Sequence, residues 1–197
     1  SDVYKRQILY WVEGKSKLVT LKNIKGIILA GGKATRLKPI TNAISKQLLP
    51  LYDKPMIYYP LCTLMQSGIK EILIITNEDS FTNFVNLLGD GNNWGIKIDY
   101  KIQKEPNGLA EAFLIAEDFI KGHPSALILG DNLFHGEKLN SIIKSKKKLK
   151  SGAIIFAYQV KDPERYGVVN FSKDGLVTGI EEKPINPKSN FAMTGLY

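Results

Sequence analysis

Four charged side chains carry most of the chemistry this sequence can offer: Arg36, Lys46, Asp131 and Lys183. Each follows or interrupts an apolar run. Arg36 lies in LAGGKATRL, Lys46 in SKQLLP, Asp131 in LGDN and Lys183 in EEKP. A guanidinium fork and two ammonium groups suit phosphate. An aspartate just past a buried strand, behind a glycine, is placed to hold a divalent metal, and the Asp-Asn pair equally suits a turn or a helix cap. Arg165-Tyr166-Gly167 is a fifth group of the same kind. Gly31 and Gly32 let the backbone approach a bulky anion and take φ above zero. Taken singly, the glycine pair reads as a tight turn and the lysines as surface residues. The joint pattern is the signal.

One reaction class needs this inventory. A phosphate monoester that attacks a nucleoside triphosphate is already ionised, so it requires no general base. The difficulty is to bring two polyanions together and to stabilise the departing pyrophosphate. Positioning and cations then carry the catalysis. The chemistry of other classes is missing. His123 and His135 have no serine or cysteine elbow near them. H-E-x-x-H, G-x-S-x-G and the kinase signatures are absent. Glu181 and Glu182 are neighbours in an expected strand, so they point to opposite faces and form no acid/base pair. The glycine loop lacks G-x-G-x-x-G, and its near match to a Walker A loop fails because Gly32 stands where lysine is required.

The elements that must position these groups alternate regularly from Ile24. An unbroken apolar run at 25–30 reads as a parallel strand buried on both faces. The loop after such a strand lies at the carboxyl edge of the sheet, where open α/β sheets bind ligands. Residues 31–53 form a long irregular segment, which in a compact domain is usually functional. Helices are expected at 56–67, at 79–88 with Asp79 or Ser80 as cap, at 109–120 and at 138–149. Strands are expected at 71–76, 96–103, 125–129 and 153–160. This alternation predicts a Rossmann-like, doubly wound α/β fold with a mostly parallel mixed sheet. After Val160 the rhythm changes to a hairpin, 167–171 with 176–182, and a strand beginning at Phe191. Residues 1–23 read differently: SDVYKRQ resembles translated adapter sequence, and Ile8 onward suits a short hairpin or an unpaired lead. The expected organisation is a non-native or unassigned lead, 1–23, and one domain, 24–197, incomplete at its C-terminus.

With 197 residues and 44% hydrophobic content the chain can bury a sizeable core. No run is long enough to span a membrane. Cys62 is the only cysteine, which excludes an intrachain disulfide and a cysteine-based zinc site. A cytoplasmic location is expected. Net charge is +8, and Lys144, Lys146, Lys147, Lys148 and Lys150 form a dense basic run. No aromatics interleave with it, so it reads as a solvated helix face rather than a nucleic-acid site. A basic protein also suits polyanionic small substrates.

Several motifs together, LAGGKATRL, SKQLLPLYDKPMIYYPL, LGDN, DPERYGVV and EEKP followed by TGLY, resemble the sugar-phosphate nucleotidyltransferase family. The resemblance runs from Lys25 to Tyr197 with every motif in order. It implies the nucleotide-diphospho-sugar transferase fold and attack of glucose 1-phosphate on dTTP, with Mg2+ as cofactor. It further implies that Leu29, Gly31, Gly32, Thr35, Gln103 and Gly108 bind the nucleotide, Gln103 and Gly108 at the pyrimidine edge. Arg36 and Lys46 would contact the triphosphate, and Asp131 would hold the metal. Tyr166, Gly167, Glu182, Lys183 and Thr194 would line the sugar-phosphate pocket, Lys183 binding the phosphate. Members are typically homotetramers.

Three departures stand out. Ala34 replaces a family glycine, adding strain of order 1 kcal/mol if φ is positive there. Asn107 stands where the family often has aspartate. A second metal-binding aspartate would lie beyond Tyr197, so this fragment alone is expected to be weak or inactive. Alternatives are a UTP-dependent enzyme, since Gln103 and Gly108 could read uracil or thymine, a non-catalytic nucleotide sensor, and a nucleic-acid binder driven by the lysine run. The last would bind DNA in a salt-sensitive way that survives Arg36→Ala.

Overall fold

The computed structural model describes residues 7–13, 23–32, 34–105, 107–135, 152–174 and 176–197. In chain order the strands and helices are β1 (Gln7–Glu13), β2 (Lys25–Leu29), β3 (Pro50–Leu51), β4 (Lys54–Pro55), α1 (Tyr58–Gln66), β5 (Glu71–Thr76) and α2 (Glu78–Leu88). They continue with β6 (Lys97–Ile102), α3 (Leu109–Ile115), α4 (Glu117–Ile120), β7 (Ser125–Leu129), β8 (Gly152–Gln159), β9 (Gly167–Phe171), β10 (Val177–Glu182) and β11 (Phe191–Met193). The chain divides into two compact units, one within residues 21–145 and one drawn from 1–20 and 146–197.

The first unit is built on a four-stranded parallel sheet in the order β6-β5-β2-β7. Its central strands are apolar runs without alternation because helices and loops cover both faces. Ile27, Ile28, Ile72, Leu73, Ile74, Ile75, Leu127 and Ile128 are all buried. Gly26 interrupts the run for a packing reason: a Cβ there would stand 2.9 Å from Leu64 Cδ1 and 3.1 Å from Ile69 Cγ2. The chain passes from β2 outward to β5 and β6, then returns to place β7 on the other side of β2. Strand direction is unchanged while the winding reverses, so the carboxyl ends of β2 and β7 border a topological switch point.

The second unit holds a five-stranded antiparallel sheet in the order β1-β8-β11-β9-β10. The strand-helix alternation predicts that β8 continues the doubly wound sheet; instead it pairs antiparallel with β1 and β11. The sequence GAIIFAYQ looks uniformly apolar, but burial deepens at alternate positions, Ile155 and Ala157, as in a sheet with one face open to solvent. β1 is not an unpaired lead: all seven of its residues pair with β8, and the rest of the expected hairpin lies outside the described residues. The expected hairpin forms as β9 and β10.

Two helices differ from expectation. α2 starts at Glu78 and its cap is Asn77, whose side chain accepts from Ser80 N at 3.0 Å. That choice leaves Glu78 and Asp79 in the first turn, where the helix dipole favours them. The expected helix over 109–120 is two short helices meeting at Ala116, where ψ is −1°. The helix at 138–149 and the lysine run fall outside the described residues. Among the described residues no helix is long and apolar enough to cross a membrane.

Candidate active site

The loops that follow β2, β6 and β7 all leave the same carboxyl edge of the parallel sheet. A backbone bond draws the first and last together, Gly130 N donating to Leu29 O at 2.9 Å, while Ala30 N donates to Ile75 O of β5 at 2.7 Å. The two strand ends run so close that a Cβ on Gly130 would stand 3.1 Å from Leu29 O and 3.2 Å from Ala30 Cα. The glycine of LGDN thus lets Asp131 sit beside the glycine loop.

Gly31 and Gly32 have different jobs. Only Gly32 takes positive φ, +118°, with nothing within 4 Å of a built Cβ. Gly31 provides close approach, since a Cβ there would lie 3.1 Å from Gln103 Oε1. Ala34 is left-handed at φ 40°, ψ 43°, so the strain expected of an alanine at this position is present. Thr41 Oγ1 and Leu37 N both donate to Ala34 O, at 3.0 Å each, and hold the turn in that shape. Thr35 and Arg36 follow in a short 3-10 turn, exposed, and among the described residues Arg36 has no ion-pair partner.

Lys46 reaches the same edge from a segment stitched to itself. Ile57 N donates to Gln47 O and Met56 N to Leu49 O, while β3 and β4 pair across the intervening turn. Ser45 Oγ donates to Gln47 Oε1 at 2.6 Å, and the Gln47 and Leu48 side chains are buried. With its neighbours fixed inward, Lys46 points out, and its Nζ lies 2.8 Å from Asp131 Oδ2. Asn132 Nδ2 donates to the other oxygen, Oδ1, at 3.1 Å. Gln103 N continues the sheet pattern by donating to Thr76 O, and Gly108 opens α3 at φ 97° with open space around it.

The other unit gathers the remaining predicted residues on one hairpin and the strand beside it. Glu182 pairs with Gly167, and a Cβ on Gly167 would lie 3.1 Å from Glu182 Oε2. Lys183 N donates to Tyr166 O at 2.9 Å from a left-handed backbone, φ 44°. A lysine held there is strained, a state that recurs at functional positions. Its Nζ stands 3.6 Å from Glu182 Oε1, and both side chains are about two-thirds exposed, 66% and 69%. Thr194 Oγ1 is buried and finds no partner among the described residues. Burial raises the Tyr197 hydroxyl above its ordinary pKa, with the nearby Glu182 charge adding to the shift. Glu181 faces elsewhere, accepting from Asn170 Nδ2 at 2.7 Å, so the two glutamates do point apart.

The ammonium of Lys46 thus meets the carboxylate of Asp131 at the sheet edge from which the glycine turn and the exposed guanidinium of Arg36 also leave, and cations of this kind suit a polyphosphate. Residues 25–197 match the family model for nucleotidyl transferases. The chain belongs to the nucleotidyl transferase family. The chain is 56% identical over 173 residues to glucose-1-phosphate thymidylyltransferase of Xanthomonas campestris pv. campestris (strain B100), covering 88% of this chain and 59% of that protein. It is 55% identical over 174 residues to the protein of the same name from Neisseria meningitidis serogroup A, covering 88% and 60%. The chain thus spans about 60% of the length of the curated relatives it matches. Among solved structures, a Bacillus anthracis protein described as a putative glucose-1-phosphate thymidylyltransferase in complex with a sucrose aligns with TM-score 0.81 and 40% identity. That alignment covers 88% of this chain and 70% of the other. A UDP-glucose pyrophosphorylase complexed with UDP-glucose aligns with TM-score 0.70 and 27% identity, covering 89% and 75%.

Nucleotidyl transferases generally use a divalent metal. Asp131 fits one: its two oxygens offer about four lone-pair sites, of which Lys46 and Asn132 engage two. Among the described residues no three acidic, histidine or cysteine side chains cluster. A single carboxylate suits a cation that completes its shell with water and substrate phosphates. Sequence reasoning missed Gln47, Gly130 and Glu111. The first two act through burial and backbone approach, which leave no chemical signature in sequence. Glu111 reads from sequence only as a helix acid; its contact with Asn107, two residues ahead of α3, depends on the turn at Gly108.

Proposed function

We propose that the full-length protein transfers a thymidylyl group from dTTP to glucose 1-phosphate, releasing pyrophosphate. The observation that carries this reading is the Lys46–Asp131 pair at the carboxyl edge beside the Gly31–Gly32 turn, with the exposed Arg36 nearby in sequence. The names of the relatives at 55–56% identity support the substrates.

In this reading an oxygen of the sugar phosphate attacks the α-phosphorus of dTTP, and the bond from that phosphorus to the bridging β-oxygen breaks. The attacking dianion has lost its second proton near pH 6, so no base on the protein is needed. Arg36 and Lys46 take up the charge that grows on the departing pyrophosphate. Leu29, Gly31, Gly32 and Thr35 wrap the nucleotide, with Gln103 and Gly108 at its base. Tyr166, Gly167, Glu182, Lys183 and Thr194 receive the sugar phosphate: Lys183 binds the phosphate, and Glu182 accepts sugar hydroxyls. Asp131 would hold Mg2+, which supplies charge neutralisation at the phosphates when bound. By the same family reading the protein is a cytoplasmic homotetramer.

The test is pyrophosphate release by the full-length protein with dTTP, glucose 1-phosphate and MgCl2. Turnover that is lost on omitting the sugar phosphate or the metal is expected. Turnover with UTP equal to or faster than with dTTP would move the assignment to a uridylyltransferase. Nucleotide binding with no pyrophosphate release would make the protein a sensor.

A further inference from the structure

The amide of Gln103 is held from one side. Its Nε2 donates to Glu111 Oε2 at 2.5 Å, and Asn107 Nδ2 donates to the second oxygen, Oε1, at 3.1 Å. A carboxylate only accepts, so the amide nitrogen must face Glu111 and the amide oxygen must face away. That oxygen lies toward Gly31, 3.1 Å from where a Cβ would stand, and among the described residues no donor reaches it. Gln103 is only 6% exposed. α3, which carries Glu111, is tied to β6 at its far end as well, where Lys101 Nζ donates to Ile115 O at 2.7 Å. The half-turn that would exchange the nitrogen and oxygen of Gln103 is therefore blocked. Glu111 stays ionised at neutral pH, its carboxyl held below the ordinary carboxylate range first by Gln103 and then by Asn107.

We propose that Glu111 is a specificity-positioning residue: it fixes the Gln103 amide oxygen toward the nucleotide, so the site takes a base with an N–H at pyrimidine N3 and rejects cytosine. Thymine and uracil carry that N–H, whereas N3 of cytosine is an acceptor and would meet the Gln103 oxygen lone pair to lone pair. The proposal rests on the reading that Gln103 meets the base. Asn107 is the neutral donor that the arrangement needs, since an aspartate there would set two carboxylates against each other.

The experiment measures dissociation constants of dTTP, dUTP and dCTP for the full-length protein by calorimetry, with metal present. The parent protein is expected to prefer dTTP, and equally dUTP, over dCTP by on the order of tenfold or more, because a mismatched acceptor is left unpaired. Glu111→Gln can donate as well as accept, so it frees the Gln103 amide to turn, and the preference should fall about fivefold or more. The double variant Asn107→Asp with Glu111→Gln should restore it: the introduced carboxylate accepts from the introduced amide, whose oxygen then faces Gln103. A merely structural role for Glu111 predicts no such rescue. An unchanged dTTP/dCTP ratio in Glu111→Gln overturns the proposal. Gln103→Ala separates the two claims: a lost preference there beside a retained one in Glu111→Gln condemns only the positioning role. A preference that survives Gln103→Ala condemns the base-contact reading too.

Discussion

In the proposed site Lys46 and a divalent metal would compete for the Asp131 carboxylate, so removing the lysine should tighten metal binding while it damages turnover. The perturbation is Lys46→Met, which keeps most of the apolar stem and deletes the charge. Nζ lies 2.8 Å from Asp131 Oδ2, with the two side chains 29% and 32% exposed. Breaking a pair this accessible to solvent costs up to about 1 kcal/mol. A doubly charged metal and an ammonium roughly 5 Å apart on the same carboxylate repel by a further 1–2 kcal/mol or so in a water-like dielectric. The two effects overlap, so about 1–2 kcal/mol is gained in total, which is roughly five- to thirtyfold in affinity. The assay is a Mn2+ titration of the nucleotide-free, full-length protein followed by paramagnetic resonance. Turnover with both substrates should fall on the order of a hundredfold, since a cation at the developing charge is gone. Raising the salt should shrink the metal effect. Metal binding that is unchanged or weaker in Lys46→Met would refute the competition.

Three further outcomes follow from packing and charge. Ala34→Gly relieves a left-handed alanine that costs about 1–2 kcal/mol, offset by about 0.4–1 kcal/mol of extra freedom in the unfolded chain, so a modest rise in stability by denaturant titration is expected. Gly26→Ala drives a methyl to 2.9 Å from Leu64 Cδ1 and should destabilise by about 1–3 kcal/mol in the same assay. Lys25 Nζ donates to Glu71 Oε2 at 2.8 Å and holds the Glu71 carboxyl below its ordinary value of 4.5. A depressed folded pKa gives stability that is present above the unfolded value and lost as pH falls through the folded one. The melting-temperature gap between the parent and Glu71→Gln should therefore be open at neutral pH and close as pH falls below the ordinary glutamate value. A gap independent of pH would contradict that linkage.

The parallel sheet was readable because its central strands are largely apolar runs of the right length, as at Glu71–Thr76, whose bounds agree with expectation, and its edge strand β6 alternates. The separate antiparallel sheet was not, because Ile154 and Phe156 on the less buried face of β8 are as apolar as its buried residues. Asn77 was passed over as a cap because two other capping residues, Asp79 and Ser80, stand within three positions of it. Arg36, Lys46 and Asp131 were legible as charges placed after apolar runs. That Lys46 and Asp131 pair was not, because 85 residues separate them and only the fold brings them together. Gln103 was legible through family resemblance alone. Its partner Glu111 becomes visible only when the end of β6 and the first turn of α3 are seen side by side.

At the centre of the proposed chemistry is a single displacement at phosphorus, driven by cations and without a protein nucleophile. The stereochemistry of that phosphorus tests it most directly. Full-length protein would be supplied with glucose 1-phosphate and dTTP carrying one sulfur, of known configuration, on the α-phosphorus, and the product configuration read by 31P NMR. One in-line attack predicts inversion. Retention would reveal two successive displacements through a covalent intermediate on the protein, and would contradict direct transfer.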